Sequence, residues 1–186
     1  MTMSSGHSKA VELFQYVAIV VVAVLLALFI RTFVAEVYEV PTGSMLNTIQ
    51  LGDRLVGEKL TYRFGGTPQA GDVITFTSPL NSDILLVKRV IATAGQTVDL
   101  RDGAVYIDGQ LMDEPYTEGK PTYSLADRNG AVIQDYPYTV PAGHIFVMGD
   151  NRTNSLDSRY FGPVAVSTVT SKAMFIFWPF DHARGL

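Results

Sequence analysis

Three stretches of the chain carry residues whose types and spacing could do chemistry. In "VYEVPTGSMLNTIQLGD" (Val37 to Asp53), Ser44 stands between Gly43 and Met45. In "ILLVKRVI" (Ile84 to Ile91), Lys88 and Arg89 interrupt an otherwise apolar, β-branched run. In "GDNRTNSLDSRYFG" (Gly149 to Gly162), Asp150, Asn151, Arg152, Asn154, Ser155, Asp157, Ser158 and Arg159 crowd behind an apolar strand. A serine is a weak nucleophile until a neighbouring base takes its proton, so the question is which residue could be that base.

The histidines are poorly placed for it. His7 precedes a long apolar segment, His144 follows a "PAG" turn at a strand start, and His182 lies in the tail. Each reads as a surface or turn residue, and no Ser/His/Asp triad is supported. Lys88 is the stronger candidate. On a strand, Ile84, Leu86, Lys88 and Val90 share one face, and Leu85, Val87, Arg89 and Ile91 the other. Both faces are apolar apart from the two bases, which predicts a strand covered on both sides. A lysine there loses hydration, which favours the neutral amine, a competent general base. A side chain that snorkels to the sheet edge and keeps its charge is the competing reading, and the pattern alone leaves both open. Arg89 cannot neutralise itself and needs a buried acid, for which Asp150 is available. Asp157 and Arg159 are placed to tie the polar block together. The block fails as a calcium loop, because Arg152 takes a ligand position, Ser155 replaces the required glycine and no glutamate closes it.

The elements that must position these residues follow from pattern. The run "YVAIVVVAVLLALFIRTFVA" has no polar side chain from Val17 to Ile30 and approaches the length of a bilayer-spanning helix. A retained anchor over residues 12–34 is expected, behind a tail at 1–11. A buried core helix would keep a polar face, and a cleaved leader would need small residues where Phe33 stands before Ala35. The tail has Lys9 and no acid while Arg31 follows the span, a weak bias towards an internal N-terminus and an external remainder. That remainder reads as mainly β. "GDVITFT" and "DILLVKRVIAT" form a hairpin across "SPLNS", and "QTVDLRDGAVYIDGQLM" turns at Asp102-Gly103 and again at Asp108-Gly109. "HIFVMGD" and "AMFIFWPF" are further strands. The polar stretch from Asp113 to Gly143 is expected to be a long excursion with little core of its own. The expected division is a catalytic core at 35–98 and 144–182, with a hairpin and loop insert at 99–143. A net charge of −4 leaves no footprint for nucleic acid, and the absence of cysteine excludes disulfides and thiolate metal sites.

Taken in order behind an anchor, "PTGSM", "GDRLVGEK", "KRVIATAGQTV" and "MGDNRTNSLDSRYFGPV" resemble the type I signal peptidases, membrane-bound serine proteases that remove signal peptides from exported proteins. The resemblance covers the anchor and nearly all that follows. It implies an antiparallel β catalytic fold, shared with repressor-type proteases, behind a single transmembrane helix. It implies Ser44 as nucleophile, Lys88 as general base, and an oxyanion hole of the Thr42 hydroxyl and the Ser44 N–H. It also implies that Ser155 hydrogen-bonds and orients Lys88, that Asp150 pairs with Arg89, and that Asp157 and Arg159 form a structural ion pair. No metal or cofactor is implied. The partners are signal-peptide-bearing preproteins and membrane lipid, and the place is the cell membrane with the catalytic part outside the cytoplasm, cutting after Ala-x-Ala-type sites. Lysine in place of histidine points to the bacterial branch, and the short chain to its compact form. Threonine at 42, where serine is frequent, keeps the hydroxyl. Asn47, where proline is usual, predicts a local backbone adjustment.

Two other classes compete. A self-cleaving regulator of the repressor type would need a DNA-binding segment and an Ala-Gly site ahead of its serine, yet the Ala-Gly pairs at 70–71, 94–95 and 142–143 all follow Ser44. A tethered, non-enzymatic β module accounts for the anchor and strands. It leaves the serine, the strand lysine and the polar block without a reason to coincide.

Overall fold

The computed structural model describes residues 5–186. Helix α1 runs from Ser5 to Phe29 and continues as a wider π turn, Ile30–Val34. It starts ahead of the expected residue 12, because Lys9, Ala10 and Glu12 are helix formers that extend it. Residues 1–4 of the expected tail and the side chain of His7 lie outside the described residues. Val11–Val34 is long and apolar enough to cross a membrane, and none of it is buried within the protein.

The rest is mainly antiparallel β. Strands β1 (Ala35–Glu39), β2 (Arg54–Glu58), β3 (Val73–Ser78), β4 (Asn81–Thr93), β9 (His144–Met148), β10 (Val164–Ala165), β11 (Val169–Trp178) and β12 (Arg184–Gly185) form one eight-stranded sheet. Its order is β1-β2-β11-β3-β4-β9-β10, with β12 on β11. Strands β5 (Thr97–Arg101), β6 (Ala104–Ile107), β7 (Gln110–Leu111) and β8 (Tyr138–Thr139) form a second, four-stranded sheet. Helices α2 (Leu60–Arg63) and α3 (Ser158–Phe161) are single turns. The hairpins form where the turn chemistry predicts. Asp102 and Gly103 have φ of 53° and 74°, and Asp108 and Gly109 have 51° and 81°. Paired positive φ values match the twist of the flanking strands, and Asx-Gly tolerates them.

Two expectations need correction. Strand β4 is not covered along its whole length. Ile84 and Leu85 are 48% and 45% exposed, whereas Lys88 to Ala92 are buried. The reason is coverage: β9 pairs with β4 only from Arg89 to Thr93, so the earlier half has β3 on one side and a free edge on the other. A bulge at Ile91 also breaks the alternation. Secondly, the polar stretch after Asp113 does contribute to a core. Ile133 and Val140 pack with Ile91, Val98, Val105, Phe146 and Met148. That cluster joins the two sheets, and a second cluster around Met45, Ile49, Leu55 and Ile176 lies beneath the serine turn.

Ile133 is 2% exposed and its neighbour Val132 is 63% exposed. Ile133→Ala should cost about 2–4 kcal/mol in denaturant unfolding, as truncation in a packed core does. Val132→Ala should change stability by less than about 0.5 kcal/mol.

Candidate active site

Lys88 lies on β4 opposite Ile74 of β3 and is 3% exposed. Its Nζ donates to Ser44 Oγ at 2.6 Å and to the Val87 carbonyl at 3.0 Å. Among the described residues no carboxylate lies within ion-pair distance of it. Burial pushes its pKa down to about 8, and the negative charges of Asp157 and Asp150 pull weakly the other way. The snorkelling alternative is therefore not what the fold adopts: the amine points inward, onto the serine.

Ser44 occupies a 3₁₀ turn, Gly43–Met45, entered from the extended Thr42. The turn is tied to the polar block. Asn151 donates its backbone N–H to the Ser44 carbonyl at 3.1 Å and its Nδ2 to the Gly43 carbonyl at 2.9 Å. This approach requires Gly149, where a Cβ would lie 2.3 Å from both the Ser44 carbonyl oxygen and Ser155 Oγ. So Asn151 and Gly149 hold the Ser44 turn, and sequence reasoning gave neither that role.

The acids of the block are occupied by arginines. Asp150 is fully buried and takes two bonds from Arg89, Nε to Oδ1 at 2.9 Å and Nη2 to Oδ2 at 2.7 Å. Thr48 Oγ1 adds a third at 2.5 Å, linking the serine loop to this pair. Asp157 is also fully buried and takes Arg159 Nε and Nη2, both at 2.9 Å. It caps α3 through the Arg159 N–H and accepts the Gly149 N–H at 3.1 Å. Both expected pairings are present. A third ion pair was not foreseen: buried Arg152 binds Glu114 through both Nη atoms and Thr122 Oγ1 at 2.6 Å. The Arg89 guanidinium lies 4.1 Å from the centre of the Tyr116 ring.

One expected contact is not made. Ser155 Oγ is buried without a hydrogen-bond partner and does not bond Lys88, whose amine bonds Ser44 and Val87 instead. Ser155 packs against Gly149, within the same block. His144 is the turn residue expected, bonded to the Ala142 carbonyl at 3.0 Å. His182 is less ordinary, since its Nδ1 lies 2.7 Å from the fully buried Asp53 carboxylate.

Ser44 and Lys88 open on a cavity of about 120 Å³ lined by Tyr38, Thr42, Thr75, Ile84 and Leu86 among others. Thr42 is exposed at its lip. A larger apolar groove of about 680 Å³, between the end of α1 and β1, is lined by Ala27, Ile30 and Val37 and does not include the serine or the lysine. The small cavity is therefore the one whose contents meet the reactive pair. A hydroxyl, an amine that titrates near neutrality and an adjoining apolar recess together can activate an oxygen nucleophile against a carbonyl carbon.

Comparison with known proteins agrees with this geometry. A family described as signal peptidase, peptidase S26, matches residues 13–178. The chain is 41% identical to a probable signal peptidase I-1 of Synechocystis sp., over 89% of this chain and 82% of that protein. It is 39% identical to a signal peptidase I of Leptolyngbya laminosa, over 86% of this chain and 77% of that one. It is 37% identical to signal peptidase I T of Bacillus subtilis, over 98% and 94%.

The lysine has a stability consequence. Moving its pKa from 10.5 to about 8 costs the fold about 3 kcal/mol at pH 7, because the unfolded chain binds the proton more tightly. Stability should therefore rise with pH between about 8 and 10.5. Lys88→Met removes the cost, so the variant should be the more stable protein at pH 7 by up to about 3 kcal/mol. That advantage should fade as the pH approaches 10.5. Denaturant melts of both proteins at pH 7 and pH 10 check this.

Proposed function

This chain belongs to the signal peptidase family, peptidase S26, and on that premise we propose that it is a membrane-bound serine endopeptidase that removes N-terminal signal peptides from exported preproteins. Ser44 is the nucleophile and Lys88 the general base. The carrying observation is the 2.6 Å contact between Lys88 Nζ and Ser44 Oγ, with no carboxylate within ion-pair distance of the amine among the described residues.

The sequence of steps follows from that contact. Neutral Lys88 accepts the Ser44 proton as Oγ attacks the carbonyl carbon of the residue before the cut. The oxyanion that forms is held by the Thr42 hydroxyl and the Ser44 N–H. The Lys88 ammonium then gives its proton to the departing amine, leaving an ester on Ser44. Water, deprotonated by Lys88, hydrolyses the ester and restores the hydroxyl. With a pKa of about 8, roughly a tenth of the lysine is neutral at pH 7, against well under a thousandth for an ordinary one. Ser155, Arg89, Asp150, Asp157 and Arg159 support this pair without touching the reacting atoms.

The recess beside the dyad is about 120 Å³, room for small side chains. That supports a preference for alanine-sized residues at the first and third positions before the cut. The uncovered helix α1 anchors the protein in the cell membrane, N-terminus in the cytoplasm and catalytic part outside. The catalytic part comprises 35–98 and 144–182, with 99–143 as an insert that shares its core. Ser44 follows Ala35 by nine residues, at most roughly 30 Å of chain, so catalysis happens near the lipid surface. In "FIFWPF", Ile176 is core while Phe175, Trp178 and Phe180 are 44%, 45% and 78% exposed. Those exposed aromatics suit contact with the bilayer interface.

Detergent-solubilised protein should cut a precursor bearing an Ala-x-Ala site and leave uncut one with Phe at either position. Ser44→Ala, Lys88→Ala and Lys88→Arg should each abolish cleavage, since the pair acts as a unit and arginine keeps its proton. kcat/KM should rise about tenfold per pH unit below 8 and level off above it, because the base works only when neutral. A profile flat from pH 6 to 9, or substantial turnover by Lys88→Ala, would contradict the assignment.

A further inference from the structure

The Ser44 turn is held from one side by Asn151. The chain beyond it, Leu46 to Asp53, is held from the other side by residues 180–186. Arg184 directs a single nitrogen, Nη2, to two consecutive backbone carbonyls, Asn47 at 2.9 Å and Thr48 at 2.5 Å. His182 meets Asp53, whose other carboxylate oxygen accepts the Gln50 N–H at 2.8 Å and so closes the turn at the end of the serine loop. The Leu186 N–H bonds the Met174 carbonyl at 3.0 Å, and Leu186 packs against the cluster that holds Met45 and Ile49. Strand β12, Arg184–Gly185, pairs with Ile176 and Phe175 of β11 and so fixes the position from which Arg184 reaches.

We infer that Arg184 is a positioning residue for the nucleophile, acting through the serine loop and resting on the assignment of Ser44 as the attacking group. Among the described residues, neither of the two carbonyls that it grips accepts a backbone N–H. Asn47 is a residue type that accepts many turn conformations, and its side chain makes no hydrogen bond among the described residues. Thr48, gripped by its carbonyl, also donates its hydroxyl to Asp150, and Asp150 holds Arg89 beside Lys88. Arg184, Thr48, Asp150 and Arg89 thus form one bonded path from the loop of the nucleophile to the strand of the base. A slackened loop displaces Ser44 Oγ from Lys88, and small displacements of reacting groups cost rate steeply. Arg184 is itself exposed and Asn47 and Thr48 are half-buried, so its removal leaves no cavity in the core.

The test uses the full chain in detergent and a short peptide with an Ala-x-Ala site. Arg184→Ala should lower kcat about five- to tenfold, with KM changed less than twofold and the melting temperature changed by less than about 2 °C. Arg184→Lys, which keeps one cationic donor, should retain most of kcat. Asn47→Pro, which fixes φ at the gripped residue, should restore kcat in the Arg184→Ala background. Unchanged kcat in Arg184→Ala overturns the inference. So does a loss that neither Lys at 184 nor Pro at 47 relieves, or one that tracks a fall in melting temperature. If the unaltered protein fails to cut the peptide, it is the protease assignment that falls, which separates the two failures.

Discussion

A buried lysine that, among the described residues, forms no ion pair is the constraint on which this structure turns. Two acids, Asp150 and Asp157, lie close enough to act on Lys88 electrostatically, and both favour its charged form. A free carboxylate in that position would capture the ammonium and keep it protonated. Each acid is instead saturated by an arginine through a planar two-point contact, a geometry lysine cannot match. Arg89 and Arg159 neutralise the acids, and burial then decides the state of the amine. The ion pairs are thus as much about what Lys88 does not bind as about holding the loops.

The same block also fixes the serine. Gly149, Asn151 and Asp157 lie within nine residues of one another in sequence, yet they serve different masters. Gly149 lets the backbone close on Ser44, Asn151 bonds that turn, and Asp157 holds the Gly149 N–H and caps α3. Buried polar groups of this density are tolerable only because nearly all find partners. Ser155 Oγ is the exception inside the site. The arginine that completes the arrangement, Arg152, reaches out to Glu114 and so ties the segment after the second sheet's β7 to the polar block.

Much of this was legible in the residues because the signals are local. Asx-Gly turns name their own conformation, whereas a lysine in an apolar strand poses a choice between desolvation and snorkelling that only its burial decides. The Arg89–Asp150 pair follows from the rule that a buried guanidinium needs an acid, and the Asp157–Arg159 pair from the resemblance of its block to the signal peptidases. What escaped is set by tertiary context. The exposure of Ile84 and Leu85 depends on how far β9 extends along β4, which no periodicity encodes. Ile133 and Val140 stand in short apolar runs of a polar stretch, too brief to show a period, yet both face the same cluster. Glu114 and Arg152 are 38 residues apart, with nothing in the intervening chain to link them. The Arg184 contacts on backbone carbonyls have no sequence signature at all, since any residue could supply the acceptor.

The central claim is that Lys88 loses its proton near neutrality, and observing its side chain directly tests it. Lysine labelled at Cε with carbon-13, in the otherwise intact protein in detergent micelles, reports the charge of each amine by its chemical shift. Lys88→Met identifies the resonance. The structure predicts that this one signal titrates with a midpoint near 8, well below the other lysines. A midpoint near 10.5 would mean that the amine stays charged beside Ser44, and Lys88 could not be the base.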